Sequence, residues 1–300
     1  MYVITGASGH TGQIIVKRLL ANHQKVRAVA RHAEGLQPLV VEGAEPCVAD
    51  LTDREALTRA FAGARAVYAM LPPAITSQDY RSDQDRISGT IAGALRAAAV
   101  KYAVTLSSVG ADKPDKVGPV VGLYYLEQRL NNITGLNVLH LRAGYFMENT
   151  LAQAGIVRAT GNSAGPLRPE LKLPMIASRD IGIAVADSLL NLDFRLQQTR
   201  ELHGQRDLSM NEASAVIGKA IGKPDLPYQQ ISDQQFRDAL TRMGMSANVA
   251  ALVGEMARAM NSGYMRALEP RSAHNTTPTS FETFVAEEFV PAYQHPAQAA

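Results

Sequence analysis

The chain has 300 residues, enough for one large α/β unit with an appended lobe or for two small domains. Its net charge is +2 and its basic residues are scattered, so it carries no electrostatic footprint for direct nucleic-acid binding. No stretch is apolar and uncharged for the length of a bilayer span, and Met1 runs directly into a strand with no basic flank or cleavage site of a secretory leader. The single cysteine, Cys47, excludes an internal disulfide and a thiolate metal cluster. The expected location is a reducing cytoplasm.

Tyr2 to Thr5 is a short apolar, β-prone run, and a glycine-rich turn from Gly6 to Gly12 follows it. Residues 13–20 continue as a helix with Ile15, Val16, Leu19 and Leu20 on its apolar face. Strands are expected at 26–30, 46–49, 66–70, 102–106 and 137–141, and helices at 54–61, 80–100 and 123–132, the first entered by Asp53 or Thr52 as a cap. In this pattern Cys47 reads as a small buried hydrophobe in Pro46-Cys47-Val48-Ala49.

The alternation predicts parallel βαβ units, hence an α/β, doubly wound parallel sheet of the Rossmann type. Right-handed crossovers place every strand C-terminus on one edge, where ligands bind. Gly6, Arg31, Asp50, Leu71 and Ser107 fall at such ends.

Residues 1–148 therefore read as the nucleotide-binding domain, and 149–300 mostly as a smaller, mainly helical lobe over the ligand edge. A helix at 179–190 and a strand at 201–203 suggest that about 176–204 returns to the first domain. Residues 149–175 look irregular, with short helices. Further helices are expected at 211–221, 233–243, 248–260 and 281–289.

The turn Gly6-Ala7-Ser8-Gly9-His10-Thr11-Gly12 has small residues where a strand must turn, where backbone N–H groups approach a pyrophosphate, and where helix packs on strand. The helix N-terminus adds partial positive charge. The second strand ends in Arg31 and His32, where an NAD-binding protein places an acid to accept from the ribose 2′-OH. A guanidinium there engages a 2′-phosphate, so NADPH is expected over NADH. Asp50, followed by Leu51, ends the third strand; its carboxylate is either an acceptor for the adenine amino group or a helix cap. The fourth strand runs to Met70, and Leu71, Pro72 and Pro73 end it as a rigid apolar ledge for the adenosine side. The candidate cofactor-binding set is thus Gly6, Ser8, Gly9, His10, Thr11, Gly12, Arg31, Asp50, Leu51, Met70, Leu71 and Pro72, extended below.

Three stretches carry a family resemblance: Thr5 to Gly12, the run Leu141-Arg142-Ala143-Gly144-Tyr145-Phe146-Met147-Glu148-Asn149, and Ser178-Arg179-Asp180-Ile181-Gly182. Asn275 to Phe281 adds to them. With them the chain resembles the NmrA-like family, an atypical branch of the short-chain dehydrogenase/reductase superfamily that includes NADPH-dependent quinone reductases. The resemblance implies a cleft between Rossmann domain and lobe, with the nicotinamide near Ser107, Ser108, Tyr145 and Phe146.

Typical members of the superfamily use a serine after the fifth strand, a tyrosine, and a lysine four residues after the tyrosine. Here Tyr124 and Tyr125 are the candidate acids; Tyr125 and Arg129 keep the spacing, and the lysine is absent. Arginine lowers a tyrosine pKa but does not relay a proton. His140, inside a strand, reads as a satisfied core histidine. No HExxH, cysteine cluster or Gly-x-Ser-x-Gly elbow occurs, so neither a metal site nor a hydrolase is indicated.

The leading expectation is an NADPH-dependent oxidoreductase acting on quinones or similar small conjugated acceptors. The alternative, kept open by the missing lysine, is a non-catalytic NADP(H) sensor acting through a protein partner. A nucleotide-sugar epimerase would need the tyrosine–lysine pair. A homodimer is open by analogy with the superfamily.

Overall fold

Strand and helix alternate through the first half of the chain: β1 (Tyr2–Thr5), α1 (His10–Ala21), β2 (Val26–Ala30), α2 (Gln37–Val41), β3 (Glu45–Val48), α3 (Arg54–Phe61), β4 (Ala66–Ala69), α4 (Tyr80–Ala97), β5 (Tyr102–Ser108), α5 (Val121–Asn131) and β6 (Asn137–Ala143). The fold is given by a computed structural model that describes residues 1–295. The second half adds β7 (Tyr145–Phe146), α6 (Gln153–Thr160), β8 (Ser163–Gly165), β9 (Leu173–Ile176), α7 (Ser178–Asn191), β10 (Gln197–Leu202), β11 (Asp207–Leu208), α8 (Met210–Ala220), β12 (Tyr228–Gln230), α9 (Asp233–Arg242), α10 (Ala247–Asn261) and α11 (Phe281–Phe284).

The central sheet is parallel throughout, in the order β10-β6-β5-β4-β1-β2-β3. This is the doubly wound Rossmann arrangement, and the strand order reverses between β1 and β4. Period-two alternation sorts its side chains. Tyr2 and Ile4 enter the layer formed with α1 and α7, beside Ile15, Leu19, Ile181 and Val185. Val3 enters the layer formed with α3, α4 and α5, beside Leu57, Ile91 and Leu126. Residues 178–202 supply α7, which packs on α1, and β10, which pairs with β6.

β3 departs from the expected buried strand. It is an edge strand paired with β2, with Glu45, Pro46 and Val48 exposed and Cys47 half-buried. Burial still pushes the Cys47 thiol above its ordinary range.

The lobe has its own core, including Met147, Met175, Ile217, Met260, Phe281, Phe284 and Phe289. The stretch 149–175 carries the short helical segments expected of it, and to these it adds β8 and the start of β9, which join two small sheets, β12-β8 and β11-β9-β7. The helix after α11 widens into a π-turn over Val285–Phe289. The C-terminal segment is strapped to α7 by the buried Asp180, which accepts from the Thr279 N–H at 3.0 Å and the Thr279 hydroxyl at 2.8 Å. No helix among the described residues is long and apolar enough to cross a membrane.

Candidate functional site

Three adjoining cavities run along the C-terminal edge of the sheet. The central one, about 650 Å³, lies at the strand-order reversal and is lined by Gly6, Gly9, His10, Thr11 and Gly12 on one side and Met70, Leu71, Ser107, Ser108 and Phe146 on the other. The second, about 410 Å³, shares Gly6, Gly9 and Met70 with it and reaches Ser8, Arg31, Asp50, Leu51 and Pro72. The third, also about 410 Å³, meets the central cavity at Ser108 and Phe146 and extends under the lobe to Tyr145, Leu173, Met256, Met260 and Met265.

The glycine turn shapes the central cavity by close approach. Gly6 has φ +61°, in the left-handed region that favours glycine. A Cβ on Gly12 would sit 2.2 Å from the Gly6 carbonyl oxygen, so only glycine lets α1 start directly against the turn. α1 has Gly9 at its N-cap, no side-chain cap bond and no acidic residue in its first turn. Its leading N–H groups thus lack intrahelical acceptors and carry the positive end of the helix dipole. Those features fit a diphosphate, and the three connected cavities fit a dinucleotide with a second molecule beyond it.

At the second cavity, Arg31 is joined by Arg86 of α4, which pairs with Asp83 at 2.9 Å. Arg86 lies 55 residues after Arg31 (86 − 31), so only the fold brings the two guanidinium groups to one cavity. Asp50 Oδ1 accepts from the Thr52 N–H and hydroxyl, both at 2.7 Å, and these bonds hold its carboxyl below the usual range. The cap of α3 is Asp53, which accepts from the Ala56 N–H at 2.9 Å; Asp50 does not cap it.

The fold does not bring Tyr124 and Tyr125 to these cavities. Tyr125 is exposed and lines a separate surface groove with Arg81 and Asp85, and Tyr124 packs edge-on against its ring. Arg129 is turned toward α4, where it binds Asp85 and Ser88. The residues of this region that line the cleft are Pro119, Val120 and Leu123. None of these three bears a titratable group. A 3₁₀ turn over Gly118–Val120 and burial of Leu126 and Leu130 set this register.

Ser107 is almost fully buried and donates to Glu127 Oε1 at 2.6 Å. Glu127 is itself clamped by Arg142, with Nε 3.0 Å from Oε1 and Nη2 2.6 Å from Oε2. This desolvated pair is bidentate, the geometry in which a buried carboxylate is compensated. No local pattern links Glu127 on a helix to Arg142 on a strand. Ser108 donates to the Val109 carbonyl at 2.9 Å and stands where the central and third cavities join. His140 is remote from the cavities: Nδ1 lies 2.7 Å from the Thr105 hydroxyl and Nε2 3.0 Å from Asn131 Oδ1, and burial lowers its pKa to about 4.

This geometry has counterparts among known proteins. The NmrA-like family model matches residues 2–289. The chain belongs to the NmrA-like family. Solved structures of the same fold include an NADPH-dependent quinone oxidoreductase of Escherichia coli complexed with NADPH, 23% identical over 96% of this chain and 100% of that one, with a TM-score of 0.76. The triphenylmethane reductase of Citrobacter sp. complexed with NADP(H) is 18% identical over 96% and 100%, with a TM-score of 0.80. A nucleoside-diphosphate-sugar epimerase of Staphylococcus aureus is 18% identical over 95% and 99%, with a TM-score of 0.76. No curated protein matches the sequence. This NmrA-like chain therefore has the fold of NAD(P)-binding reductases, on which reductase and epimerase names both occur.

Proposed function

We propose that this NmrA-like protein is an NADPH-dependent oxidoreductase that reduces quinones or similar flat conjugated acceptors. The observation that carries the reading is an apolar acceptor cavity that opens at Ser108 and Phe146 onto the cleft of the glycine turn, with no Tyr-x-x-x-Lys pair among the residues lining that cleft. Reduction of a simple ketone needs a positioned acid. A quinone does not, because its delocalised oxyanion takes a proton from solvent. The quinone oxidoreductase and triphenylmethane reductase names among the related structures agree with such a substrate class.

In this reading the first turn of α1 receives the pyrophosphate, with Gly6, Gly9 and Gly12 allowing the approach. Arg31 and Arg86 receive the 2′-phosphate, which selects NADPH over NADH. Asp50 Oδ2 is left for the adenine amino group, since Oδ1 is taken by Thr52. When bound, the cofactor supplies the hydride. The side chains of Ser108 and Phe146 border the passage through which donor and acceptor meet. Met256, Met260 and Met265 present polarisable, adaptable surface to a flat ring and exclude water from it.

Charge at the third cavity favours a neutral or anionic acceptor. Lys172 is paired with Glu212 and Asp207 with Arg271, whereas Arg266 has no carboxylate partner among the described residues. The test is loss of NADPH absorbance with a panel of quinones and a cationic triphenylmethane dye, with NADH run in parallel. Saturable oxidation with NADPH and quinone preferred supports the reading. Cofactor binding without oxidation by any acceptor favours instead the sensor, for which the missing acid–base pair is the specific observation.

A further inference from the structure

β7 sends two aromatic side chains, adjacent in sequence, to different places. A Cβ on Gly144 would meet the Pro174 carbonyl oxygen at 2.2 Å, so the chain leaves β6 in close contact with β9 and pairs with it, Tyr145 opposite Met175 and Phe146 opposite Ile176. Successive side chains on a strand point to opposite faces. Phe146 packs on the layer of α1 and α7 and borders both the central and the third cavity. Tyr145 turns to the core of the lobe and lines the third cavity, not the central one.

The side-chain donors of the third cavity are few. Ser108 has given its hydrogen to the Val109 carbonyl at 2.9 Å. Lys172 and Arg266 are exposed, and Lys172 is paired with Glu212. The Asn149 amide stands beside the Tyr145 hydroxyl. No acceptor among the described residues takes the Tyr145 hydrogen, and its oxygen is not among the polar atoms sealed from solvent without a partner, which are Gln84 Oε1, Glu148 Oε2 and Arg237 Nε. The hydroxyl therefore opens into the cavity with its proton uncommitted. Burial pushes this phenol up to about 12, with Asn149 pulling more weakly the other way. Near neutral pH Tyr145 is thus a standing neutral donor and not an acid.

We propose that the Tyr145 hydroxyl holds the acceptor's oxygen in the third cavity and stabilises the negative charge that develops on it. This rests on the oxidoreductase reading above. The quinone gains a hydride from the cofactor, which is thereby oxidised, and then a proton from solvent, and so becomes the hydroquinone. Tyr145 keeps its own proton throughout and lends a hydrogen bond to the oxyanion that exists between the two additions. A donor fixed in place beforehand and shielded from water stabilises such a charge better than water does. The role requires no lysine, because no tyrosinate forms. It does require an oxygen on the acceptor, conjugated with the carbon or oxygen that receives the hydride.

The experiment follows single turnovers of bound NADPH against a concentration series of 1,4-benzoquinone, in the full chain and in Tyr145→Phe, beside the binding of NADPH alone. Single turnovers keep product release from masking the chemical step. The expected result is that Tyr145→Phe slows the saturating rate by about tenfold to a hundredfold and leaves half-saturation by the quinone within about twofold, because the lost bond is made mainly in the transition state. NADPH is expected to bind the variant as it binds the parent, which also reports that the variant is folded. A saturating rate equal to the parent's overturns the proposal. So does a slower rate accompanied by an equal loss of NADPH binding, which would make Tyr145 a packing or cofactor residue. If the parent binds NADPH and no quinone oxidises it, the oxidoreductase reading falls and this proposal falls with it.

Discussion

Arg129 belongs to Asp85: its Nη2 lies 2.5 Å from Asp85 Oδ1 and its Nη1 2.9 Å from the Asp85 carbonyl oxygen. The bond ties α5 to α4 and commits the guanidinium that would otherwise stand in for the superfamily's lysine. Tyr125, four residues earlier, is out in solvent on the same side of the helix. Tyr124→Phe and Tyr125→Phe are therefore expected to leave the turnover number with the best acceptor within about twofold of the parent, since surface changes of this kind perturb little. A drop of two orders of magnitude in either, measured by steady-state NADPH oxidation, would return the acid to α5.

Arg31→Ala is expected to weaken NADPH roughly tenfold and to leave NADH nearly unchanged, as loss of a charge-assisted phosphate bond does. Arg86→Ala should act in the same direction, because both guanidinium groups border one cavity. Both groups are exposed, so the discrimination should fade as salt is raised. Titrations with the two cofactors at low and high ionic strength check this; equal losses for both cofactors would remove the arginines from cofactor selection.

The two later glycines of the turn should separate stability from binding. A Cβ on Gly12 meets the Gly6 carbonyl oxygen at 2.2 Å, whereas one on Gly9 meets it at 3.3 Å. Gly12→Ala must push α1 off the sheet, costing about 1–3 kcal/mol as overpacking does, with a lower melting temperature even in the absence of ligand. Gly9→Ala should melt near the parent and still bind NADPH less well, because its methyl intrudes where the phosphates approach. Thermal melts with and without NADPH distinguish the two. A Gly12→Ala chain as stable as the parent would contradict this packing.

The parts legible in the sequence were those written locally. Gly6 to Gly12 is a single turn, and the strands β1 and β4 are fully buried runs whose apolar character needs no partner to be read. β3 misled because Pro46-Cys47-Val48 is apolar yet lies at the sheet edge, a position set by topology and not by composition. The face of α5 misled because a Tyr-Tyr pair draws attention while Leu123 is what the cleft receives. Arg86 and Glu127 escaped because each acquires its role from a distant segment. The strands β7 and β11, two residues each, are too short to show a period.

The buried His140 makes a pH prediction whose sign follows from its pKa. In the fold the pKa falls to about 4 from an ordinary 6.5, with desolvation as the first cause. The neutral ring is the form that suits the site, its Nε2–H donating to Asn131 Oδ1 and its Nδ1 accepting from the Thr105 hydroxyl. Between those two values the unfolded chain binds the proton and the folded chain does not, so stability rises with pH across that window. The contribution is complete above about pH 6.5 and is lost as pH falls toward 4, reaching roughly 3 kcal/mol for a shift of this size. Glu201 adds to the loss at the acid end: it is buried, it accepts from the Leu268 and Glu269 N–H groups and from His203, and those bonds hold its carboxyl below the usual range. Urea unfolding of the parent and of His140→Gln at pH 7 and pH 5 is the measurement. The variant is expected to be less stable at pH 7, since it fills the site imperfectly, and to lose less stability between pH 7 and pH 5. Equal losses in the two proteins over that interval would mean that His140 does not titrate between the folded and unfolded states as its burial requires.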